Sequence, residues 1–485
     1  MIEKIVIEKY DEVYIKIRAE ASTMYELGDY FTFSVPGAKF SPAYRNKVWD
    51  GKIRLLNVMT GLIYAGLINH IEKFASDREY EVEYEGNFSQ VQFSIKEADD
   101  FSKTLNLPYE VRDYQLQAFA HAVRNNRSLL LSPTASGKSL IIYLLTRYYN
   151  ARTLIIVPTT SLVHQLSSDF ADYGFDSANN VHTIFSGKDK QTNHSIVIST
   201  WQSIYKLPKS YFAQFEVVIG DEAHLFKAKS LTTIMGKLTD CKYRFGFTGT
   251  LDGTQTNKLV LEGVFGRVKK VTTTSELIDQ NHLASFKIKA IVLTYPDQVR
   301  KDMVKKTYQE ELDYIVRNPE RNIFIKNLAL SLKGNTLILF QFVDKHGALL
   351  HNMIVADAVK TDRNVYYVSG KTEAEDREII RKVIETETDA IIVASSGVFS
   401  TGINIKNLHN IIFSSPSKSR IKNLQSIGRV LRRSDTKESA TLYDIADDIS
   451  WKSHVNHTAN HFAERIKIYS EEGFLYKIYR VSMDT

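Results

Sequence analysis

The chain has 485 residues, 43% of them hydrophobic and 24% charged, a balance that suits about three globular domains and excludes a disordered or low-complexity polymer. No apolar run reaches the roughly 20 residues a membrane-crossing helix needs, and Met1–Tyr10 alternates apolar with charged residues as a strand does, so neither a membrane span nor a signal peptide is expected. The net charge of +6 is a mild basic bias, and the lone cysteine, Cys241, rules out an internal disulfide and points to a reducing cytoplasm.

Residues 1–105 read as a small α/β domain, acidic overall, with strand-like alternation around one basic, aromatic stretch. That stretch, Lys39 to Arg54, sets Lys39, Arg45, Lys47, Lys52 and Arg54 against a single acid, Asp50, and interleaves Phe40, Tyr44 and Trp49. Cations among aromatics suit phosphates and splayed bases, so Lys47, Trp49, Lys52 and Arg54 are candidate DNA contacts. The competing reading is a hairpin whose aromatics are core and whose lysines face solvent.

From about Arg112 to His282, short apolar runs alternate with helical patterns. Ser128–Leu131, Thr153–Val157, Ser195–Ser199, Val217–Gly220 and Arg244–Phe247 are the expected strands of a parallel sheet covered by helices. The rhythm restarts near Phe286 with Lys287–Leu293, Thr336–Phe340, Val365–Val368, Ala390–Val393, Ile411–Phe413 and Thr441–Tyr443. Two such sheets predict two similar lobes, 106–283 and 284–447, joined near Gln280–Ser285. Helical spacing in His461–Ser470 predicts a helical extension, 448–485, packed on the second lobe.

Three motifs carry chemistry. Ser132-Pro-Thr-Ala-Ser-Gly-Lys-Ser139 follows a strand and opens a helix, the context of a phosphate-binding loop. Backbone N–H groups of Thr134, Ala135, Ser136 and Gly137 and their neighbours would face the phosphates of ATP, with Pro133 shaping the loop. Lys138 would reach the β- and γ-phosphates and Ser139 would hold Mg²⁺. Ser132 stands where the pattern has its first glycine; a small residue still fits.

The second motif, Val217-Val-Ile-Gly-Asp-Glu-Ala-His224, delivers Asp221 to Mg²⁺ and Glu222 to the attacking water at a strand's carboxyl end. His224 would link the ATP site to neighbouring segments. In the third, Gln425-Ser-Ile-Gly-Arg-Val-Leu-Arg-Arg433, Arg429 and Arg432 are three apart and share one helix face, as two guanidinium forks aimed at a γ-phosphate would. Gln425 joins the catalytic set.

Together, in this order, the motifs resemble those of superfamily 2 helicases of the DEAH-box type, over about 110–447. Further matches are Arg112-Asp-Tyr-Gln115, like an adenine-reading segment with Gln115 as reader, and Phe247-Thr-Gly-Thr250, whose Thr248, Gly249 and Thr250 would couple ATP to strand movement. Val157-Pro-Thr-Thr-Ser-Leu162 and Ser199-Thr-Trp-Gln202 resemble segments that hold a nucleic-acid backbone. Phe399-Ser-Thr-Gly-Ile-Asn404 resembles the second-lobe motif that touches both ligands, through Thr401, Gly402 and Asn404. On the same pattern Thr159, Thr160, Thr200, Trp201, Phe342 and Thr372 would contact DNA; Trp201 serves equally as a structural aromatic.

Outside the core, Asn46-Lys-Val-Trp-Asp-Gly-Lys-Ile-Arg-Leu55, Gly61-Leu-Ile-Tyr-Ala-Gly-Leu67 and Val398-Phe-Ser-Thr-Gly402 resemble the UvsW helicases of tailed phages. The resemblance implies two tandem RecA-like parallel-sheet lobes behind a small N-terminal DNA-binding α/β domain. It also implies an ATP- and Mg²⁺-dependent helicase that unwinds and branch-migrates single-stranded, forked and branched DNA in the host cytoplasm during phage replication, recombination and repair. Single-strand-binding or recombination proteins are candidate partners, and no membrane is involved. An RNA helicase, a restriction-type duplex translocase and a non-hydrolysing nucleic-acid clamp are the rivals. Intact Lys138, Glu222, Arg429 and Arg432 speak against the last.

Overall fold

The computed structural model describes residues 3–35, 37–88, 91–225, 228–251, 255–401, 405, 407–416, 427–428, 431 and 439–483. They form two compact units, Met1–Ser132 with Gly137–Thr272, and Thr273–Thr485 with the loop Pro133–Ser136.

The first unit opens with β1 (Lys4–Lys9) and β2 (Tyr14–Arg18), then β3 (Thr32–Ser34), β4 (Lys52–Arg54), β5 (Leu62–Tyr64) and β6 (Glu81–Glu85). A four-stranded sheet runs in the order β5-β2-β1-β6, and β3 pairs only with β4. β1 is antiparallel to β2 and parallel to β6. Period-two alternation puts Ile5, Ile7, Ile15 and Ile17 on one face, fully buried against Leu27, Phe31, Ile71 and Phe74. Burying each such side chain contributes about 1.5–3 kcal/mol relative to leaving it exposed.

This core does not close on itself. Leu259 and Val260, from the helix Gln255–Phe265 that connects the last two strands of the next sheet, complete it. At Gly66 the approach is so close that a Cβ would lie 2.0 Å from the carbonyl oxygen of Glu262. Gly61 has φ +73°, and a Cβ there would meet the Ile17 carbonyl oxygen at 2.3 Å. Both glycines are therefore steric requirements of the domain and of its docking. The helix Ile95–Thr104, inside the first 105 residues by number, packs away from this domain: Phe93 and Ala98 join the core of the parallel sheet that follows.

That sheet holds β7 (Arg127–Leu131), β8 (Thr153–Val157), β9 (Val181–Ile184), β10 (Ile196–Thr200), β11 (Val217–Gly220), β12 (Tyr243–Thr248) and β13 (Val268–Lys270). The order is β13-β7-β12-β11-β8-β10-β9, with every pairing parallel. β8, β10 and β11 are buried along their whole length, as helices on both faces require, and read in sequence as unbroken apolar runs.

The second unit repeats the plan with β14 (Ser285–Thr294), β15 (Thr336–Phe340), β16 (Val365–Val368), β17 (Ile391–Ser395), β18 (Asn410–Phe413), β19 (Ser439–Asp448) and β20 (Leu475–Ser482). Their order is β16-β17-β15-β18-β19-β14-β20, again all parallel. Every strand expected from the sequence is present in the two sheets. The tail differs from its expectation: after the helix His457–Glu471 it returns as β20, which lies along β14 from Lys287↔Leu475 to Thr294↔Ser482. Two buried ion pairs, Arg321–Asp447 at 2.7 Å and Arg465–Asp444 at 2.8 Å, fix helices of this unit to β19. The division between units falls at Thr272/Thr273, a few residues before the joint expected at Gln280–Ser285.

Candidate nucleotide and nucleic-acid sites

The loop Ser132–Gly137 leaves the carboxyl end of β7 and enters the helix Lys138–Tyr149. Ala135 and Gly137 have φ of +67° and +79°, so the backbone turns back sharply enough to present successive N–H groups at the helix N-terminus. Ser132 is fully buried and its N–H donates to the Thr248 carbonyl at 2.8 Å, so the loop is pinned to the end of β12. The small serine satisfies the position the usual pattern gives to glycine. The Ser136 hydroxyl closes the turn onto the Pro133 carbonyl at 2.7 Å.

Adjacent strands bring the acidic motif to the same edge. The Asp221 N–H donates to the Ile156 carbonyl at 2.9 Å, and the Asp221 carboxylate accepts from the Glu222 N–H at 2.8 Å. Glu222 has φ +49°, a left-handed backbone uncommon outside glycine, and its carboxylate accepts from Lys138 Nζ at 2.6 Å. Burial pushes the Asp221 carboxyl up to about 6, although Lys138 nearby pulls it down. Lys138 and the Asp221–Glu222 pair, far apart in sequence, are thus one electrostatic unit.

His224 extends this unit. Its Nδ1 lies 2.6 Å from the Thr248 hydroxyl and 3.5 Å from the Glu222 carboxylate. The Thr248 hydroxyl spends its only proton on the Thr250 carbonyl, at 2.7 Å. Nδ1 must therefore carry the proton and donate to Thr248. His224 thus stands beside the Glu222 carboxylate while hydrogen-bonded to the Thr248–Thr250 turn around Gly249.

Gln115 sits behind the loop rather than on an open face. Its side-chain oxygen accepts from the Arg112 N–H at 3.0 Å, and its Nε2 donates to the Gly137 carbonyl at 3.4 Å. The Arg112 guanidinium donates to the Tyr114 hydroxyl at 2.8 Å. Sequence reasoning missed Tyr173, whose phenol lies 2.9 Å from the Ser139 hydroxyl. Burial pushes that phenol up to about 12, so it stays neutral. No motif marks Tyr173; only the packing of the helix Thr160–Asp172 brings it there.

The other expected contacts fall into three groups. Thr159 caps the helix Thr160–Asp172 by accepting from the Leu162 N–H at 3.3 Å, and Thr200 bonds Ser203 at 2.9 Å. Gln202 ties β10 to β8 through the Pro158 carbonyl at 3.2 Å, and Trp201 packs partly buried on the sheet core. In the second unit Phe342 is half-buried after β15, just before a π-helical turn at Val343–Gly347. Thr372 caps its own turn through the Ser369 N–H at 3.0 Å, and Thr401 closes the short helix Ser396–Thr401. Gly402, Asn404, Gln425, Arg429 and Arg432 lie outside the described residues.

The basic stretch of the N-terminal domain is an insertion between β3 and β4. Phe40 and Val48 are 70% and 81% exposed, and Lys39, Arg45, Lys47 and Lys52 are also at the surface. These side chains are not a hairpin core. Trp49 is half-buried, its indole N–H donating to the Lys52 carbonyl at 2.8 Å. Arg54 is engaged by both carboxylate oxygens of Asp50.

Known proteins share this arrangement. Residues 4–85 match the family model for the N-terminal part of DNA helicase UvsW. Residues 108–253 match the res subunit of type III restriction enzymes, and 320–434 match the helicase conserved C-terminal domain. The ATP-dependent DNA helicase uvsW of Enterobacteria phage T4 is 36% identical, over 98% of this chain and 99% of its own. The chain belongs to the UvsW helicase family.

The crystal structure of T4 UvsW superposes with a TM-score of 0.53 at 35% identity, covering 99% of each chain. A DNA 3'-5' translocase of Sulfurisphaera tokodaii is 23% identical over 69% of this chain and 81% of its own. The UvsW N-terminal match ends at residue 85, where β6 ends and before the helix that packs with the first parallel sheet. Gly61 and Gly66, two of the residues that carried the UvsW resemblance, are those whose Cβ atoms the packing excludes.

Proposed function

We propose that this UvsW-family helicase uses ATP hydrolysis to step along DNA and to remodel branched DNA: forks, Holliday junctions, D-loops and R-loops, in phage replication, recombination and repair. The observation that carries the reading is the single unit made by Lys138, Asp221, Glu222, His224 and Thr248 at adjoining strand ends. Lys138 trades Glu222 for the β- and γ-phosphates of ATP, and Glu222, so released, orients the attacking water. The freed carboxylate and the His224–Thr248 link then pass the state of the nucleotide to the Thr248–Thr250 turn. Arg429 and Arg432, with Gln425, act on the transferred phosphoryl group, and Gly402 and Asn404 support the nucleotide. Gln115, with Arg112 beside it, reads the adenine of ATP from its place behind the phosphate loop.

Among the described residues no cluster of three or more His, Cys, Asp or Glu could hold a metal. One hydroxyl and one buried carboxylate, Ser139 and Asp221, are nevertheless the donor set a phosphate-borne Mg²⁺ needs, since that ion keeps most of its water. When bound, Mg²⁺ supplies positive charge beside the phosphates.

In this reading residues 1–105 anchor DNA, 106–283 form the ATP-binding lobe, and 284–447 form the second lobe with 448–485 attached. Thr159, Thr160, Thr200, Trp201, Phe342, Thr372 and Thr401 hold the strand's phosphates without reading its sequence. No described helix is long and apolar enough to cross a membrane. Steady-state ATPase should be measured in parallel with no nucleic acid, single-stranded DNA, forked DNA and RNA. Forked DNA should stimulate most; equal stimulation by RNA would transfer the reading to an RNA helicase, and stimulation by blunt duplex alone to a duplex translocase.

A further inference from the structure

Within the first unit, a cleft of about 940 Å³ opens where the N-terminal domain meets the parallel sheet. Its floor is the amino-terminal edge of that sheet: Arg127 begins β7, while Lys242 and Arg267 immediately precede β12 and β13. The phosphate loop leaves the opposite edge. Five residues of β7 separate the two, roughly 17 Å of strand. This cleft is thus distinct from the ATP site and from Thr159 and Thr200 at the carboxyl edge.

Its charges are not balanced internally. Of the acids lining it, Asp11 caps the N–H groups of Val13 and Tyr14, Glu12 pairs with Lys9 at 2.7 Å and with Arg127 at 3.6 Å, and Glu72 accepts from the Tyr84 hydroxyl. Among the described residues neither Lys242 nor Arg267 has a carboxylate partner. Burial first, and then the positive field of Lys269, Arg124 and Arg267, hold His121 in its neutral form, down to about 4. The wall from the N-terminal domain mixes polar with aromatic side chains: Tyr84 packs edge-on against Phe88 at 5.4 Å, with Val91 beyond and Asn69, Glu72 and Asn87 beside them. Asn126 and Arg127, on the floor, each bury a polar side-chain atom without a hydrogen-bond partner.

Cations without a carboxylate partner, opposite the exposed Tyr84 ring, are the chemistry that recognises a phosphate together with a base. The volume matches one or two nucleotides. We propose that this cleft is a second nucleic-acid site, which holds a nucleotide segment of single-stranded DNA away from the motor's own track. The inference rests on the reading of the chain as a DNA helicase. A protein that moves branch points must control a strand it is not translocating on, and a site on the opposite edge of the sheet keeps that strand apart.

The test uses the full chain and a fluorescein-labelled fork with one single-stranded arm. Lys242→Glu combined with Arg267→Glu should weaken fork binding about tenfold or more, and should make the salt slope shallower by about 1.4, for two lost contacts to single-strand phosphates. ATPase without DNA should be unchanged. Asn69→Trp, which fills the cleft without changing charge, should weaken binding of the same fork. On wild-type protein, an oligonucleotide carrying 5-iododeoxyuridine in that arm should crosslink to Tyr84 or Phe88. Labelled ADP, measured on a Lys138→Ala background, separates the two sources of a nucleotide. Residual ADP binding that the charge reversal abolishes would assign the cleft to free nucleotides and overturn the proposal. So would folded variants that bind forks as wild type does, with no crosslink at either ring. A wild-type protein that fails to bind forks at all would instead overturn the helicase reading on which this one rests.

Discussion

The phosphate-loop edge and the N-terminal insertion of the same unit treat charge in opposite ways. At the loop edge every charge expected to do chemistry is withdrawn from water and held by a partner: Lys138 by Glu222, Asp221 by a backbone N–H, with His224 aimed at Thr248. In the insertion the cations stand at the surface beside exposed Phe40 and Val48, and only Arg54 is tied to an acid. Buried, partnered charge can be placed accurately and acts strongly because little solvent screens it. Exposed, unpartnered charge adapts to a flexible polyanion and is screened by salt. Substitution at the first region should cost rate, and at the second it should cost affinity.

The sharpest break in that comparison comes from the catalytic side. Arg429→Ala or Arg432→Ala should lower ATP turnover by about 10³-fold or more if each acts as an arginine finger. Glu222→Gln should lower turnover by about 10²–10⁴-fold, while ATP binding, followed by a fluorescent nucleotide, stays near wild type. Arginine variants that keep turnover but lose DNA binding would move that motif to the docking class.

Asp221 sharpens the same contrast through pH. Burial raises its folded value to about 6 from the ordinary carboxylate range, so the folded chain holds this proton more tightly than the unfolded one. The group's contribution to stability therefore falls as pH rises through that interval, and ionising it costs fold stability. Activity needs the ionised form, so kcat/KM for ATP should fall below about pH 6, approaching tenfold per further unit. A profile flat down to pH 5 would contradict the assignment.

Gly66→Ala tests whether the two regions are mechanically one. A Cβ placed 2.0 Å from the Glu262 carbonyl oxygen must displace backbone. The expected loss is about 1–3 kcal/mol, read as a lower thermal midpoint. The shared core with Leu259 and Val260 also means that deleting residues 1–85 should expose apolar surface and destabilise the first lobe, not merely remove an anchor.

The smallest effect belongs to the docking patch. Lys47→Ala, Lys52→Ala and Arg54→Ala together should raise the DNA concentration for half-maximal ATPase and flatten the salt slope, with maximal rate unchanged. Because Asp50 already engages Arg54, Lys47 and Lys52 should account for most of the change. A triple variant that binds forks as tightly as wild type would leave the patch a solvated face.

Strands buried on both faces were legible in the sequence because continuous apolar runs have one explanation. β9, β13 and β20 were not: β9 is buried only at its two ends, β13 is three residues with two exposed lysines, and β20 is exposed along most of its length. The motif residues of the ATP site were legible individually. Their wiring was not, since the Lys138–Glu222 pair and the His224 tautomer depend on strand order rather than on spacing. Gln115 shows the limit clearly: the sequence marks it as a base reader, but no spacing marks the bonds by which its amide spans the Arg112 N–H and the Gly137 carbonyl. Tyr173 left no signal at all.

The central claim is that chemistry at the Lys138–Glu222 pair drives movement of DNA branch points. It is tested most directly with a synthetic Holliday junction carrying a fluorophore and quencher on arms that part when the branch migrates. Wild-type protein with ATP should separate the pair. ADP, or ATP with Lys138→Ala, should leave it closed while the junction remains bound. Branch movement without hydrolysis, or DNA-stimulated hydrolysis with no movement of any branch, would contradict the account.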